Sequence, residues 1–375
     1  MLQARLPHRP RVPHGHRARD RDRRRPGTAR GGRGARERGS PEGGGGVVGR
    51  IAVFRGLYLG DLVASTPALR ALRRGHPKAE ISLVGLPWAV ALAPHLAPEI
   101  DRFVPYPGAP GLDGGDDEAA LAELVREMRG QDFDLAVNLH GRGPESTRLV
   151  ASFGARRTAG FVGGGGEYPA LDVSVPWDAE EHEARKLLLL VEAAGGLSDG
   201  EIPRLRVREE DRRRAGELLG RGFGEPLALL HPGASVPEKR WPAEGFALVA
   251  RGLVREGYAV AVTGSEGERE ISRRVCDLAP GAVDLSGKTD LPALIGLVSR
   301  ADLLVSNDTG PAHLAYALGT PSVTVFGPST DVGRWGPLER ERHAVLLEDP
   351  ISEVRAEAVL EAAGRLAPRE QRVGV

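Results

Sequence analysis

The sequence predicts an α/β fold of two doubly wound domains, each a parallel sheet covered by helices, facing one another across a cleft. Short apolar runs alternate with amphipathic stretches along the chain, which is the rhythm of βαβ units. That rhythm starts near residue 50, pauses in a charged segment over 204–224 and begins again at 227. The length of 375 residues and the 41% hydrophobic content suit about two domains, each with its own core.

Taken in order, residues 50–54 (Arg-Ile-Ala-Val-Phe) read as a buried strand running into Arg55-Gly56-Leu57-Tyr58-Leu59-Gly60-Asp61. A helix follows, with Leu62, Leu69 and Leu72 at helical spacing and Pro67 in its first turns. Next come a strand over 80–85, a helix over 88–96, a short strand over 102–106, an amphipathic helix over 118–129 and a buried strand over 133–139. The segment 204–224 is helical, heavily charged and poor in large apolar groups, and so reads as the hinge region. The second set has strands over 227–231, 259–264, 302–307 and 322–326, and helices over 243–256, 266–278, 291–301 and 310–318. The expected division is a tail over 1–48, a first domain over 49–207, a hinge over 208–224, a second domain over 225–349 and a terminal helical segment over 350–367. Sheets of this kind bind ligands beyond the carboxyl ends of their strands.

Composition narrows the function. The formal charge is zero, yet residues 1–49 hold thirteen Arg against four acidic residues, a surplus of +9 that leaves the remainder at −9. An acidic body excludes nucleic acid as the main partner, because phosphate-backbone binding needs clustered Lys and Arg on the folded surface. The tail reads either as a disordered arm or as the product of a start assigned too far upstream; it carries no aromatic residue for base stacking. Cys276 is the only cysteine, which precludes an intrachain disulfide or a cysteine-based metal cluster and suits a reducing cytoplasm. The most apolar stretches are interrupted by Pro94, His95 or Glu192 and fall short of the roughly 20 residues of a membrane span.

Four segments carry chemistry. In Asn307-Asp308-Thr309-Gly310-Pro311-Ala312-His313, an apolar strand meets a polar turn and then a helix, so backbone N–H groups and the helix dipole face whatever lies above the strand. The same residues suit a plain helix cap. In His231-Pro232-Gly233-Ala234-Ser235, followed by Lys239-Arg240-Trp241-Pro242, small residues allow close approach and Lys239 offers a point charge to a diphosphate. In Thr263-Gly264-Ser265-Glu266-Gly267-Glu268-Arg269-Glu270, one of the carboxylates of Glu266, Glu268 and Glu270 can accept ribose hydroxyls, and spacing does not say which; glutamates in a first helical turn are favoured by the dipole alone. Finally, Gly60-Asp61 places a carboxylate at a strand tip, where it suits a general base or an N-cap.

Together these segments resemble glycosyltransferase family nine, the heptosyltransferases of bacterial surface-sugar assembly. The resemblance rests on Gly60-Asp61 with Thr66-Pro67-Ala68-Leu69, on Lys239-Arg240-Trp241-Pro242, on Asp308-Thr309-Gly310-Pro311-Ala312-His313-Leu314, on Ala317-Leu318-Gly319-Thr320-Pro321 and on Phe326-Gly327-Pro328, and it spans roughly residues 49–367. It implies a GT-B fold of two Rossmann-like domains, with acceptor bound in the first and donor, ADP-heptose, in the second. It also implies that the terminal helix crosses back to the first domain. The implied reaction is inverting and direct: Asp61 deprotonates an acceptor hydroxyl, while Ser235, Lys239, Asp308, Thr309 and Gly310 receive the departing diphosphate and Glu268 the ribose. Those donors stand where a metal would, so neither metal nor other cofactor is implied. The implied partners are the nucleotide sugar and a glycan or lipid-linked glycan such as lipopolysaccharide core. A cytoplasmic enzyme with peripheral contact at the inner membrane face fits such an acceptor. One departure is Ala234, where heptosyltransferases often carry a hydroxyl residue. On the acceptor side His140, Arg142 and Ser146 can hold an anionic sugar or cap the next helix.

Other patterns fail on context. His182-Glu183 opens a metalloprotease-like motif, but Lys186 stands where the second histidine belongs. The pair Asp132 and Asp134 leads into a buried strand rather than a chelating loop. Neither glycine run, at 43–46 or 163–166, follows a strand and opens a helix, which excludes a dinucleotide fingerprint. The rival readings are a transferase with another donor or acceptor, a sugar-nucleotide epimerase, and a non-catalytic nucleotide-sugar-binding protein.

Overall fold

The structure is a computed structural model in which residues 48–366 are described, apart from 113, 114, 164, 166, 221, 222 and 225. The tail read over 1–48 therefore lies, but for Val48, outside the described residues. Strands β1 (Arg50–Phe54), β2 (Glu80–Gly85), β3 (Arg102–Pro105), β4 (Leu135–Asn138), β5 (Arg157–Val162) and β6 (Val173–Pro176) form one sheet in the order β3-β2-β1-β4-β5-β6. Strands β7 (Leu227–His231), β8 (Ala259–Val262), β9 (Ala282–Asp284), β10 (Leu303–Asn307), β11 (Ser322–Phe326) and β12 (His343–Leu347) form the other, in the order β12-β11-β10-β7-β8-β9. All pairings are parallel. Counted from its own first strand, the second sheet repeats the order of the first. Each half thus has a reversal point, β1/β4 in one and β7/β10 in the other, with a crevice at the carboxyl ends.

Helices cover both faces of each sheet, so β7, β10 and β11 are buried at every position, which is why they read as unbroken apolar runs. The helix expected after Asp61 is two helices, α1 (Leu59–Ala64) and α2 (Thr66–Gly75). Pro67 has no N–H to give the Val63 carbonyl, which instead accepts from the Thr66 hydroxyl at 2.8 Å. Prolines also explain the segment expected as a helix over 88–96. With Pro87 and Pro94 it forms two short 3-10 turns, Pro87–Ala91 and Ala93–His95. Helices α3 (Glu118–Arg129), α4 (Pro144–Ser152) and α5 (Glu183–Ala193) complete the first half. Asp117 caps α3 by accepting from the Ala120 N–H at 2.9 Å. Asp134 accepts from the N–H groups of Gly49 (2.7 Å) and Arg50 (3.1 Å), a structural tie at the start of β1.

The second half contains α6 (Glu209–Leu219), α7 (Ala243–Arg255), α8 (Arg269–Leu278), α9 (Leu291–Arg300), α10 (Gly310–Leu318), the short α11 (Val332–Trp335) and α12 (Ala356–Leu366). Two expectations need correction. The charged segment read as a hinge contains α6, which packs tightly on α9: the Asp211 carbonyl lies against the backbone of Gly296, and Ala215 is fully buried. The crossing between halves is the extended stretch preceding α6, anchored where Arg206 N donates to the His95 carbonyl (3.0 Å) and Leu205 N to that of Ala317 (3.3 Å). Likewise, α12 does not cross to the first half. Its apolar face, with Val359, Ala362 and Ala363, packs into the second core beside α7, β11 and β12, and Leu360 rests on Gly252 of α7.

Candidate active site

The two reversal points face each other. In the first half the chain leaves β1 and turns at Tyr58, whose extended backbone opens α1 and sets Asp61 in its first turn. In the second half Thr309, also extended, opens α10, so the N–H groups at its start and the positive end of the helix dipole point into the crevice. Asn307 at the end of β10 is buried and joins the two loops of this half. Its Nδ2 donates to the Pro232 carbonyl (2.8 Å), and its Oδ1 accepts from Trp241 N (3.0 Å). Between those anchors Lys239 extends Nζ to Asp308 Oδ2 at 2.7 Å.

Helices α1 and α10 touch through glycine. A Cβ on Gly60 would lie 2.6 Å from Cδ2 of His313, and one on Gly310 would lie 2.9 Å from Cδ2 of Leu59. Without side chains at these positions, the two helix starts approach closely enough to frame a cleft of about 450 Å³. Asp61, Ser235, Lys239, Glu268, Asp308, Thr309 and Gly310 all line it, although they come from opposite halves and from four separate loops.

Electrostatics distinguishes these groups. Burial pushes the Asp61 carboxyl up; Arg55 opposes this and Glu183 reinforces it, so the group is more basic than an ordinary aspartate. Burial would also raise Glu268, but His231 and the N–H and hydroxyl of Ser265, both 2.8 Å from Oε2, outweigh it and hold that carboxyl low. Burial lowers His313 to about 4, against the pull of Asp308, leaving a neutral imidazole at the cleft.

The acceptor candidates fare differently. Ser146 is fully buried, donating to the Gly143 carbonyl (2.9 Å) and accepting from Asn138 Nδ2 (3.0 Å). The expectation that it meets an acceptor is corrected: it braces the loop after β4. The ring of His140 stacks on Phe54, with centroids 4.9 Å apart, and its Nδ1 accepts from Gly56 N at 3.3 Å. Arg142 lies 5.9 Å from the Trp177 ring centroid. None of the three lines the cleft with Asp61.

The structure adds residues that spacing did not reveal. Tyr58, 76% exposed, and Trp335 line the cleft, as do His231 and His313, both of which stand inside the quoted motifs. Behind Asp61 lies a charged cluster joining Arg55, Glu183, Lys186 and Arg334. Glu183 and Lys186 are neighbours one turn apart on α5, but Arg55 and Arg334 lie far from them in the chain, and no periodicity links the three segments. Among the described residues no group of His, Cys, Asp and Glu is arranged to hold a metal ion, and no helix is long and apolar enough to cross a membrane.

Residues 121–362 match the family model for glycosyltransferase family 9 (heptosyltransferase), more than half of the chain. The chain belongs to that family. Lipopolysaccharide heptosyltransferase 2 of Escherichia coli (strain K12) is 27% identical over 302 residues, covering 75% of this chain and 83% of the relative. Its counterpart in Salmonella typhimurium is 28% identical over 303 residues, with the same coverage. Among solved structures, the family 9 glycosyl transferase from Veillonella parvula superposes with a TM-score of 0.74 at 26% identity, covering 85% of this chain and 97% of that one. ADP-heptose lipopolysaccharide heptosyltransferase II of E. coli superposes with a TM-score of 0.73 at 23% identity, covering 86% and 99%, a likeness of fold. This family 9 member is therefore a glycosyltransferase with the GT-B architecture, two Rossmann-like domains across a cleft, as the motifs implied.

Proposed function

We propose that this glycosyltransferase moves a heptose from ADP-heptose to a hydroxyl of a glycan acceptor such as lipopolysaccharide core, with inversion at the anomeric carbon. The observation that carries this reading is the placement of Asp61 opposite Lys239 and the Asp308-Thr309-Gly310 turn in one cleft. Asp61 takes the proton of the acceptor hydroxyl as its oxygen attacks the anomeric carbon and the bond to the diphosphate breaks. Charge then gathers on the departing diphosphate, where Lys239, Ser235 and the N–H groups opening α10 receive it. Asp308 orients Lys239 from 2.7 Å, and Glu268, held ionised, accepts the ribose hydroxyls. The scheme uses no metal. Contact between α1 and α10 narrows the cleft and keeps water from competing with the acceptor. The two relatives named as lipopolysaccharide heptosyltransferases support the acceptor class, and a lipid-linked acceptor would bring the cytoplasmic enzyme to the inner membrane face.

The test is a donor-by-acceptor screen read by nucleotide release. ADP-heptose with a core-type acceptor is expected to yield ADP and a glycosylated product. Turnover with a different sugar nucleotide alone would reassign the donor, and failure of every sugar nucleotide to bind would remove the assignment.

A further inference from the structure

The charged cluster behind Asp61 has a definite geometry. Arg55, at the end of β1, is fully buried. Its Nε donates to the Asp61 carbonyl (3.0 Å), and its Nη1 donates to the Leu139 carbonyl. Its Nη2 is divided between Asp61 Oδ1 (3.3 Å) and Glu183 Oε1 (3.1 Å). The other oxygen of Glu183 accepts Arg334 Nε and Nη2, at 3.1 and 3.0 Å, from the second half, and Lys186 Nζ at 3.4 Å. Beside it His182 Nε2 meets the Gly336 carbonyl at 2.9 Å, a second tie between the halves. A buried cluster of this kind is a poor device for stability alone, since desolvating the charges offsets much of their attraction.

We propose that Glu183 is a positioning residue for the transfer: it holds the Arg55 guanidinium partly off Asp61 and, through Arg334, ties that arrangement to the closed relation of the two halves. The inference rests on the reading of Asp61 as the base. A guanidinium shared with Glu183 holds the Asp61 carboxylate in place without neutralising it as a full ion pair would, so the carboxylate keeps its affinity for the acceptor's proton. The charged and titratable groups around Asp61 are Arg55 from the end of β1, Glu183 with its partner Lys186 from α5, and Arg334 from α11. Across the same cleft stand His313, Lys239 and Asp308. Burial pushes the Asp61 carboxyl up; among the charged neighbours Glu183 adds to that shift, while Arg55 and Arg334 oppose it.

The experiment compares wild type, Glu183→Gln, Arg334→Gln and Asp61→Asn by carbon-detected NMR titration of the Asp61 carboxyl, identified by its loss in Asp61→Asn, and by the pH profile of kcat. Glu183→Gln is expected to move the Asp61 midpoint and the acid limb of kcat down by about 1 pH unit. Arg334→Gln is expected to move both up. Opposite shifts cannot come from a loss of packing. Midpoints that stay at the wild-type value, or that move in the same direction in both variants, would overturn the inference. Arg334, partly exposed, carries the test if Glu183→Gln does not fold. Full turnover by Asp61→Asn would instead remove the base assignment itself, a different outcome from unmoved midpoints with an inactive Asn variant.

Discussion

The two halves repeat one topology, yet they present their reversal points differently. In the second half the loops after β7 and β10 open outward together, braced by Asn307, and display Ser235, Lys239 and the start of α10. In the first half only the loop after β1 reaches the cleft with Asp61, while the loop after β4 folds inward, with Ser146 buried and His140 stacked on Phe54. A doubly wound sheet offers a crevice; the side chains of its loops decide whether that crevice is a site. On this account the second half receives charge and the first supplies a base.

Four substitutions test that division, ordered from the largest expected effect to the smallest. Asp61→Asn should lower kcat by about 1000-fold while leaving donor binding intact, because an amide cannot take the proton. The acid limb of the wild-type pH profile should lie above the ordinary aspartate range, since the base is active only when ionised and burial raises its carboxyl. A limb placed where an exposed aspartate titrates would show that the base is not buried as described.

On the opposite wall, Lys239→Ala should lower kcat/KM by about 100-fold and weaken donor affinity as well, measured by steady-state kinetics and calorimetry. Loss of activity with unchanged donor binding would blur the division between halves. Gly60→Ala probes the contact itself: a Cβ 2.6 Å from His313 should cost about 1–3 kcal/mol in thermal or chemical unfolding, or open the cleft. Ser146→Ala should have the smallest effect, destabilising by about 1 kcal/mol through lost loop hydrogen bonds and leaving the acceptor KM unmoved. A raised acceptor KM would return Ser146 to the site.

The fold was legible wherever burial on both faces wrote a continuous apolar run. The bounds of β1, β2, β7 and β11 match the reading from sequence, as do those of α3 and α10. Four strands went unread: β6 and β9 are edge strands of four and three residues, Thr158 and Gly160 interrupt the apolar run of β5, and β12 is an edge strand only partly buried. Prolines broke two expected helices at positions where the sequence displayed them, so the cause was visible and the outcome was not. At the cleft, strand-end motifs gave the lining residues of the second half because a strand, a turn and a helix start that are contiguous in sequence place them there. Arg55 and Glu183, 128 positions apart, meet only through tertiary packing, and α6 read as a hinge because its charges hide the small Ala215 that buries it.

The most direct test of the division is a paired measurement on Asp61→Asn: ADP-heptose affinity by calorimetry and ADP release with acceptor present. Donor affinity equal to wild type with turnover nearly abolished is the predicted result. Turnover close to wild type, or donor binding lost together with turnover, would contradict a base in one half facing a phosphate grip in the other.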